Sequence, residues 1–261
     1  TVAAVNLPLP VVLAHSRLTM EKIDVNDVVI PESAALAYAA QDQLIGLIDS
    51  PVVGWKVGAT STASQEKLGV KAPICGPIFE RTLATSGSKL AMSSFHHPPA
   101  LESEFAFTIG TDVALIGDEV TRTTAREIVS SVHVAIELVC SRFDSNFAAD
   151  PALLVADGAL HSLLVLGPGN DPDSAGDLKE QALFTSVDDN VIAQGTGKEV
   201  LGDPYESLAW LCKHLARRGM QLTAGSIVTT GAATGLHATK QNQTLKTEGN
   251  ALGSATLSLS E

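Results

Sequence analysis

Apolar positions recur along this chain in two rhythms, every second residue in many short runs and with helical spacing in a few well-marked stretches. The first helical spacing follows Pro31, where Ser33 can cap a run through Ala40, Leu44, Leu47 and Ile48. Val52 to Val57 then reads as a strand ending at Gly58, and Thr60 to Ser64 leads into a short helix that stops near Gly69. Leu101 to Ile109 alternates, which places Leu101, Phe105, Phe107 and Ile109 on one face of a strand and Glu102 and Glu104 on the other. Thr124, with Glu127 three residues on, predicts a capping box and a helix toward Val132, followed by an apolar strand around Ile136. Ala182 to Val187 and Val191 to Gln194 flank Asp188-Asp189-Asn190 as a hairpin.

Pro204 opens a strongly amphipathic helix with Leu208, Leu211 and Leu215 on one face, Arg217 and Arg218 in its last turn and Gly219 as terminator. Strands return at Ser226 to Thr230, Thr244 to Thr247 and Ala255 to Leu259. Strands with occasional helices, rather than a regular strand-helix repeat, predict a β-rich α+β fold. With no repeat and no low-complexity linker in 261 residues, the chain reads as one continuous folding unit.

Charge narrows the partners. The chain has 17 Lys+Arg against 29 Asp+Glu, a formal charge of −12, which repels phosphate backbones and anionic lipid and so predicts neither nucleic-acid nor membrane binding. An anionic substrate would need a local positive centre such as a metal or a buried lysine. Cys75, Cys140 and Cys212 are odd in number and set among apolar neighbours, which predicts reduced, buried thiols and a cytoplasmic protein. The apolar start from Thr1 to Leu13 lacks a basic region and is broken by Pro8 and Pro10, a poor pattern for a signal peptide or a membrane span.

Among candidate chemical groups, Glu102 and Glu104 project from one face of their strand at close range. Alone, that pair also describes the wet face of a half-exposed antiparallel strand. Glu137 shifts the balance, because it lies inside Val134-Ala135-Ile136-Glu137-Leu138-Val139, a run apolar enough to be buried on both faces. An ionised carboxylate there needs Arg142, another base or a cation. Three clustered carboxylates and a hard divalent ion satisfy one another, and oxygen-only ligands suit Mg²⁺ or Mn²⁺ better than zinc.

Lys56, in Gly54-Trp55-Lys56-Val57-Gly58, either snorkels to solvent or faces the acids, where it could hold a substrate carboxylate or exchange a proton. His96-His97, beside Pro98-Pro99, reads as loop rather than metal ligand. His161 follows the break at Ala156-Asp157-Gly158 and could line a site, though no spacing requires it. Gly195-Thr196-Gly197 lacks the Gly-Lys-Ser/Thr of a phosphate loop and reads as a hairpin end.

Several motifs follow one another in a telling order: Gly54 to Gly58, Gln65 with Leu68-Gly69-Val70, Glu102-Ser103-Glu104, and Ile136-Glu137 with Ser141-Arg142. After them come Val155-Ala156-Asp157, Val200-Leu201-Gly202-Asp203-Pro204, the helix to Arg218 and Thr230-Gly231-Ala232. Their order and spacing resemble the hydratase/decarboxylase branch of the fumarylacetoacetate hydrolase superfamily, from about residue 33 to the C-terminus.

That resemblance implies a mixed β-sandwich or roll over 86–261 with a smaller, helix-rich N-terminal α/β portion over 1–85, assembled as a homo-oligomer. It also implies Mg²⁺ or Mn²⁺ on Glu102, Glu104 and Glu137, Lys56 as the catalytic residue, and Lys56, Ile74, Asp157 and Thr230 at the substrate. Members act on 2-hydroxypenta-2,4-dienoate-like acids as hydratases, or on 4-oxalocrotonate-like diacids as decarboxylases, in aromatic meta-cleavage catabolism.

The chain departs from the family pattern at two places. Ile74 stands where hydratases carry an Asp, and Pro73-Ile74-Cys75-Gly76 and Ala224-Gly225-Ser226 are closer to the decarboxylases. Gly158-Ala159-Leu160 replaces the Asn and Ser that both types carry after the Asp. The expectation is therefore a metal-dependent lyase, read first as a hydratase and second as a decarboxylase. C–C hydrolysis is a third reading, for which no water-activating base is evident. The departures also motivate a non-catalytic, metal-binding subunit in complex with a paired hydratase or decarboxylase.

Overall fold

A computed structural model describes residues 7–113 and 119–261. Of the apolar start, residues 1–6 lie outside the described residues, and the chain from Leu9 to Thr19 forms helix α1, which the sequence pattern did not predict. Pro8 and Pro10 flank its first position, where the missing N–H costs nothing. Helix α2 (Ala34–Leu47) is capped by Ser33, whose hydroxyl accepts from the N–H of Leu36. Then come β1 (Val52–Gly58), α3 (Thr62–Leu68), β2 (Ile74–Phe79), β3 (Leu83–Ala84), β4 (Ser88–Ala91) and β5 (Ala100–Ile109). The next stretch holds α4 (Arg122–Glu127), β6 (Val129–Val139), α5 (Pro151–Ala156), β7 (His161–Leu166) and α6 (Pro172–Ala175). The chain closes with β8 (Ala182–Val187), β9 (Asn190–Thr196), α7 (Pro204–Arg217), β10 (Ile227–Ala238), β11 (Thr244–Gly249) and β12 (Gly253–Ser260). No described helix is long and apolar enough to cross a membrane.

The strands form a seven-stranded sheet in the order β2-β1-β10-β5-β6-β7-β3 and a five-stranded sheet in the order β4-β12-β11-β8-β9. The expected boundary near residue 85 falls between β3, on an edge of the larger sheet, and β4, on an edge of the smaller. The larger sheet curls, so that Ile78, Ala106, Ala135 and Leu164, from four of its strands, meet in one buried cluster. On its other side Phe105 and Phe107 pack with Leu208, Leu211 and Leu215 of α7, while Leu101 and Ile136 pack with Leu245 and Leu257 of the smaller sheet. The two-faced alternation read from Leu101 to Ile109 is therefore real, but neither face is wet: the acid face is the inside of the curl.

Two elements differ from their expected bounds. The capping box before β6 is Thr121 with Thr124, so Thr124 sits in the third helical position and the helix ends at Glu127. The β-branched run from Val129 is taken by pairing with β5 instead of continuing the helix. Strand β10 runs on to Ala238, eight residues past the expected end, through Gly231 and Gly235. The hairpin at Asp188-Asp189 forms as expected, both residues having positive φ.

Helix α7 starts where Asp203 accepts from the N–H of Tyr205 at 2.9 Å and pairs through its other oxygen with Arg122. Asp203→Ala removes a cap, for which about 1 kcal/mol is usual, and we expect a Tm lowered by a few degrees in thermal unfolding. An unchanged Tm would show that this cap is dispensable.

Candidate metal centre and catalytic cleft

Register places the acids. In the β5/β6 pair Glu102 lies directly opposite Glu137, and Glu104 is two residues along on the same face. One carboxylate oxygen from each lies within 4.8 Å of the others. Glu104 and Glu137 are fully buried, and Glu102 is half-buried at the opening. Strand β10 runs along the other edge of β5, and its two irregularities fall between the residues facing Ala106, Glu104 and Glu102. Such bulges re-aim backbone groups. Here Gly231 takes φ +110° and donates its N–H to Glu104 Oε2 at 2.9 Å. A Cβ at Gly231 would stand 2.2 Å from Thr60 Oγ1, so glycine is required on both conformational and steric grounds.

Lys56, on β1, is buried with its Nζ 3.4 Å from Glu137 Oε2, and it donates to the carbonyl of Ala159 at 3.1 Å. The lysine that sequence reasoning left between solvent and the acids thus faces the acids. Burial pulls its ammonium down, but Glu137, then Glu102 and Glu104, outweigh burial and hold it above the ordinary lysine value. Burial pushes Glu102 and Glu137 up to about 7, with Lys56 opposing. Glu104 is driven well above the carboxylate range by burial and then by Glu137, while Lys56 and the Gly231 N–H pull the other way.

Sequence reasoning left His161 open. It begins β7, next to Glu137's strand, and its Nδ1 lies 2.8 Å from Glu137 Oε1. Burial, then Lys56 and two arginines, keep the imidazole neutral. An ionised Glu137 can only accept, so the proton in that contact sits on Nδ1. The signal for His161 was a polar residue opening an apolar run, and it needed the strand order to have meaning.

With all three carboxylates ionised, they and the one ammonium sum to −2 (−3 + 1) in a largely buried pocket, a charge that one divalent cation cancels. Glu104 Oε1 and Glu137 Oε2 are buried without a hydrogen-bond partner, which is the deficit a cation would fill. All three candidate ligands are carboxylate oxygens, and Glu137 is held from behind by His161 as ligating groups commonly are. The residues present fit a hard divalent ion.

Beside this group lies a cleft of about 160 Å³ whose walls include Lys56, Ile74, Glu102, Ala159 and Leu160. It opens into a wider, adjoining space of about 590 Å³ with which it shares Glu102 and Lys67. Two residues expected at the substrate lie elsewhere. Asp157 is fully buried between Arg17 and Arg142, 3.1 and 3.3 Å away, and its Oδ2 also accepts from the backbone N–H of Arg142 at 3.0 Å. Thr230 turns its hydroxyl to the carbonyl of Phe105, and its own carbonyl accepts from Ser207. Neither lines the cleft. Arg142 pairs with Asp157 and leaves Glu137 to Lys56 and His161. His96 and His97 bond to Ser16 and to the Phe143 carbonyl, away from the acids. The three cysteines are free and buried.

Comparison with known proteins bears on the fold and the family. The chain is 32% identical over 237 residues to the 2-keto-4-pentenoate hydratase of Burkholderia vietnamiensis, covering 87% of each chain. It is 29% identical over 207 residues to a 4-oxalocrotonate decarboxylase of a Pseudomonas species, covering 79% of this chain and 78% of that one. Its fold superposes on 4-oxalocrotonate decarboxylase from Pseudomonas putida, complexed with magnesium and adipate, with a TM-score of 0.87 at 25% identity over 96% of this chain and 95% of that one. Residues 55–257 match the fumarylacetoacetate (FAA) hydrolase C-terminal family, a span that takes in Lys56 and all three glutamates. On the strength of that match the chain belongs to the fumarylacetoacetate hydrolase family.

Proposed function

We propose that this chain is a divalent-metal-dependent lyase of small 2-oxo or 2-hydroxydienoic acids, and first of all a hydratase of the 2-hydroxypenta-2,4-dienoate type. The observation that carries this reading is the clustering of Glu102, Glu104 and Glu137 with Lys56 beside one cleft, whose wall Lys56 and Glu102 form in part. Similarity to 2-keto-4-pentenoate hydratases over most of the chain supports it. Held by the three glutamates, a divalent ion, which we read as Mg²⁺ or Mn²⁺, would supply the Lewis acidity that polarises a 2-oxo group. Lys56 offers the cation that a substrate carboxylate requires, and its Nζ is placed to hold or return a proton as the acid enolises. His161 fixes the orientation of Glu137, and Ile74 and Leu160 keep the inner cleft apolar. We read the chain as a cytoplasmic homo-oligomer.

Ile74 favours a second reading. It stands on the cleft wall, where an isoleucine cannot orient the water that hydration adds. Decarboxylation needs no such water: the bond to the distal carboxylate breaks, its electron pair moves into the conjugated chain, and CO₂ leaves. The distal carboxylate of a diacid also calls for a second cation, and Lys67 lies where the cleft meets the wider space.

Incubation with Mg²⁺ and 2-hydroxypenta-2,4-dienoate, and separately with 2-oxo-3-hexenedioate, decides between them by ultraviolet loss and CO₂ release. Loss of the dienoate without CO₂ is expected for the hydratase. Release of CO₂ from the diacid would replace that reading with the decarboxylase. Mn²⁺ uptake with no turnover of either acid would sink both and leave a metal-binding partner subunit.

A further inference from the structure

On the other side of the segment from Asp157 to Leu163 lies a second cavity of about 280 Å³ that shares no lining residue with the catalytic cleft. Its polar wall is set by Arg17, Arg81 and Arg142, and Met20, Phe95 and Leu163 give it an apolar side. The side chains of Arg17 and Arg142 are only 8% and 5% exposed, and one carboxylate, Asp157, serves both. Arg17 Nη2 donates to the Asp157 carbonyl and to Oδ1, while Arg142 divides its Nη groups among Cys140, Asp157, His161 and Ser162. The Nε–H of each guanidinium is buried with no acceptor. Arg81, exposed, makes no ion pair among the described residues.

Three guanidiniums against one carboxylate leave +2 (+3 − 1) around this cavity, in a chain whose formal charge is −12. Burial, then Arg142, and further on Arg81, pull Arg17 down to about 9 despite Asp157. His96, on the same wall, is held toward its neutral form by burial and Arg142. A buried cationic excess with unmet donors is costly unless an anion completes it.

We propose that this cavity is a binding site for a small oxyanion, held by Arg17, Arg142 and Arg81 and independent of the metal centre. A carboxylate and a phosphate group present the same acceptor oxygens to guanidinium donors. The apolar side of the cavity leaves room for the carbon body of an organic acid.

Calorimetric titration of the full chain with succinate, and separately with inorganic phosphate, in a buffer without other oxyanions tests the site. We expect one saturable site for at least one of the two probes. Tighter binding of succinate marks an organic acid, and tighter binding of phosphate marks a phosphoryl group. Arg81→Ala, at an exposed position that leaves the buried pairs intact, should weaken binding about tenfold, the effect of one lost charge-assisted contact. Arg17→Met should weaken it further, and if that variant does not fold, Arg81→Ala decides alone. Lys56→Met should leave binding unchanged. No saturable binding of either probe, binding indifferent to Arg81→Ala, or binding lost in Lys56→Met would each overturn the proposal.

Discussion

Glu104→Gln is expected to leave the protein folded and to remove its response to divalent metal. The substituted amide keeps a carbonyl oxygen that can still accept from the Gly231 N–H, so the bulge in β10 retains its anchor. What disappears is a carboxyl group whose ionisation is opposed first by burial and then by Glu137, so the amide avoids both costs. Without metal, the variant should therefore melt at or above the temperature of the parent chain. With metal the order reverses. A ligand at about 100 times its Kd stabilises a folded chain by about 2.7 kcal/mol, and a hundredfold loss of affinity cuts that to about 0.4 kcal/mol. Turnover should fall by about 10² to 10³. Melting curves with and without Mn²⁺ check the prediction, and an undiminished Mn²⁺ shift in the variant would remove Glu104 from the metal site.

Lys56→Met should give the opposite signature. Deleting the ammonium takes away a cation that competes with metal for the same carboxylates, so Mn²⁺ should bind as tightly as before or more tightly. Activity should nevertheless drop by about 10² to 10⁴, the range for losing a positioned acid–base group. The carbonyl of Ala159 loses its donor, a defect of about 1 to 3 kcal/mol that lowers the Tm without metal. Steady-state kinetics with saturating Mn²⁺ separate the two roles of Lys56. A raised KM with little change in kcat marks carboxylate binding, a lowered kcat marks proton handling, and wild-type values for both would exclude the residue from the chemistry.

The two variants also show how the sequence could point to the site. Glu102 and Glu104 were informative only with Glu137, whose apolar neighbours left no room for an unpaired charge. The cost of burying an ion follows from those neighbours alone. The same reasoning made Lys56 a candidate while leaving its direction open. Asp157, expected at the substrate, instead serves Arg17 and Arg142, which are 140 and 15 residues away from it in the chain. No local pattern announces a pair of that kind. Ile74 was expected at the substrate from resemblance, and it does line the cleft. The strand that carries it was unforeseen, since Gly76 and Pro77 interrupt its β pattern, yet Pro77 pairs opposite Trp55.

By itself the sequence determined the elements whose signals are local. These are the capped helix after Ser33, the amphipathic helix from Pro204 to Arg217, the alternation of β5, the Asp188-Asp189 hairpin and an acidic trio in need of a cation. Periodicity and capping act over a few residues, and the cost of a buried charge depends on its immediate neighbours, so each is legible in a short window of chain. Tertiary structure alone decided that the acid face of β5 turns into a curled sheet, that β10 bulges to aim Gly231 at Glu104, and that His161 stands behind Glu137. It also decided that Asp157 serves two arginines. Each of these depends on which strands lie side by side and in what register, and that is settled by packing among residues far apart in the chain.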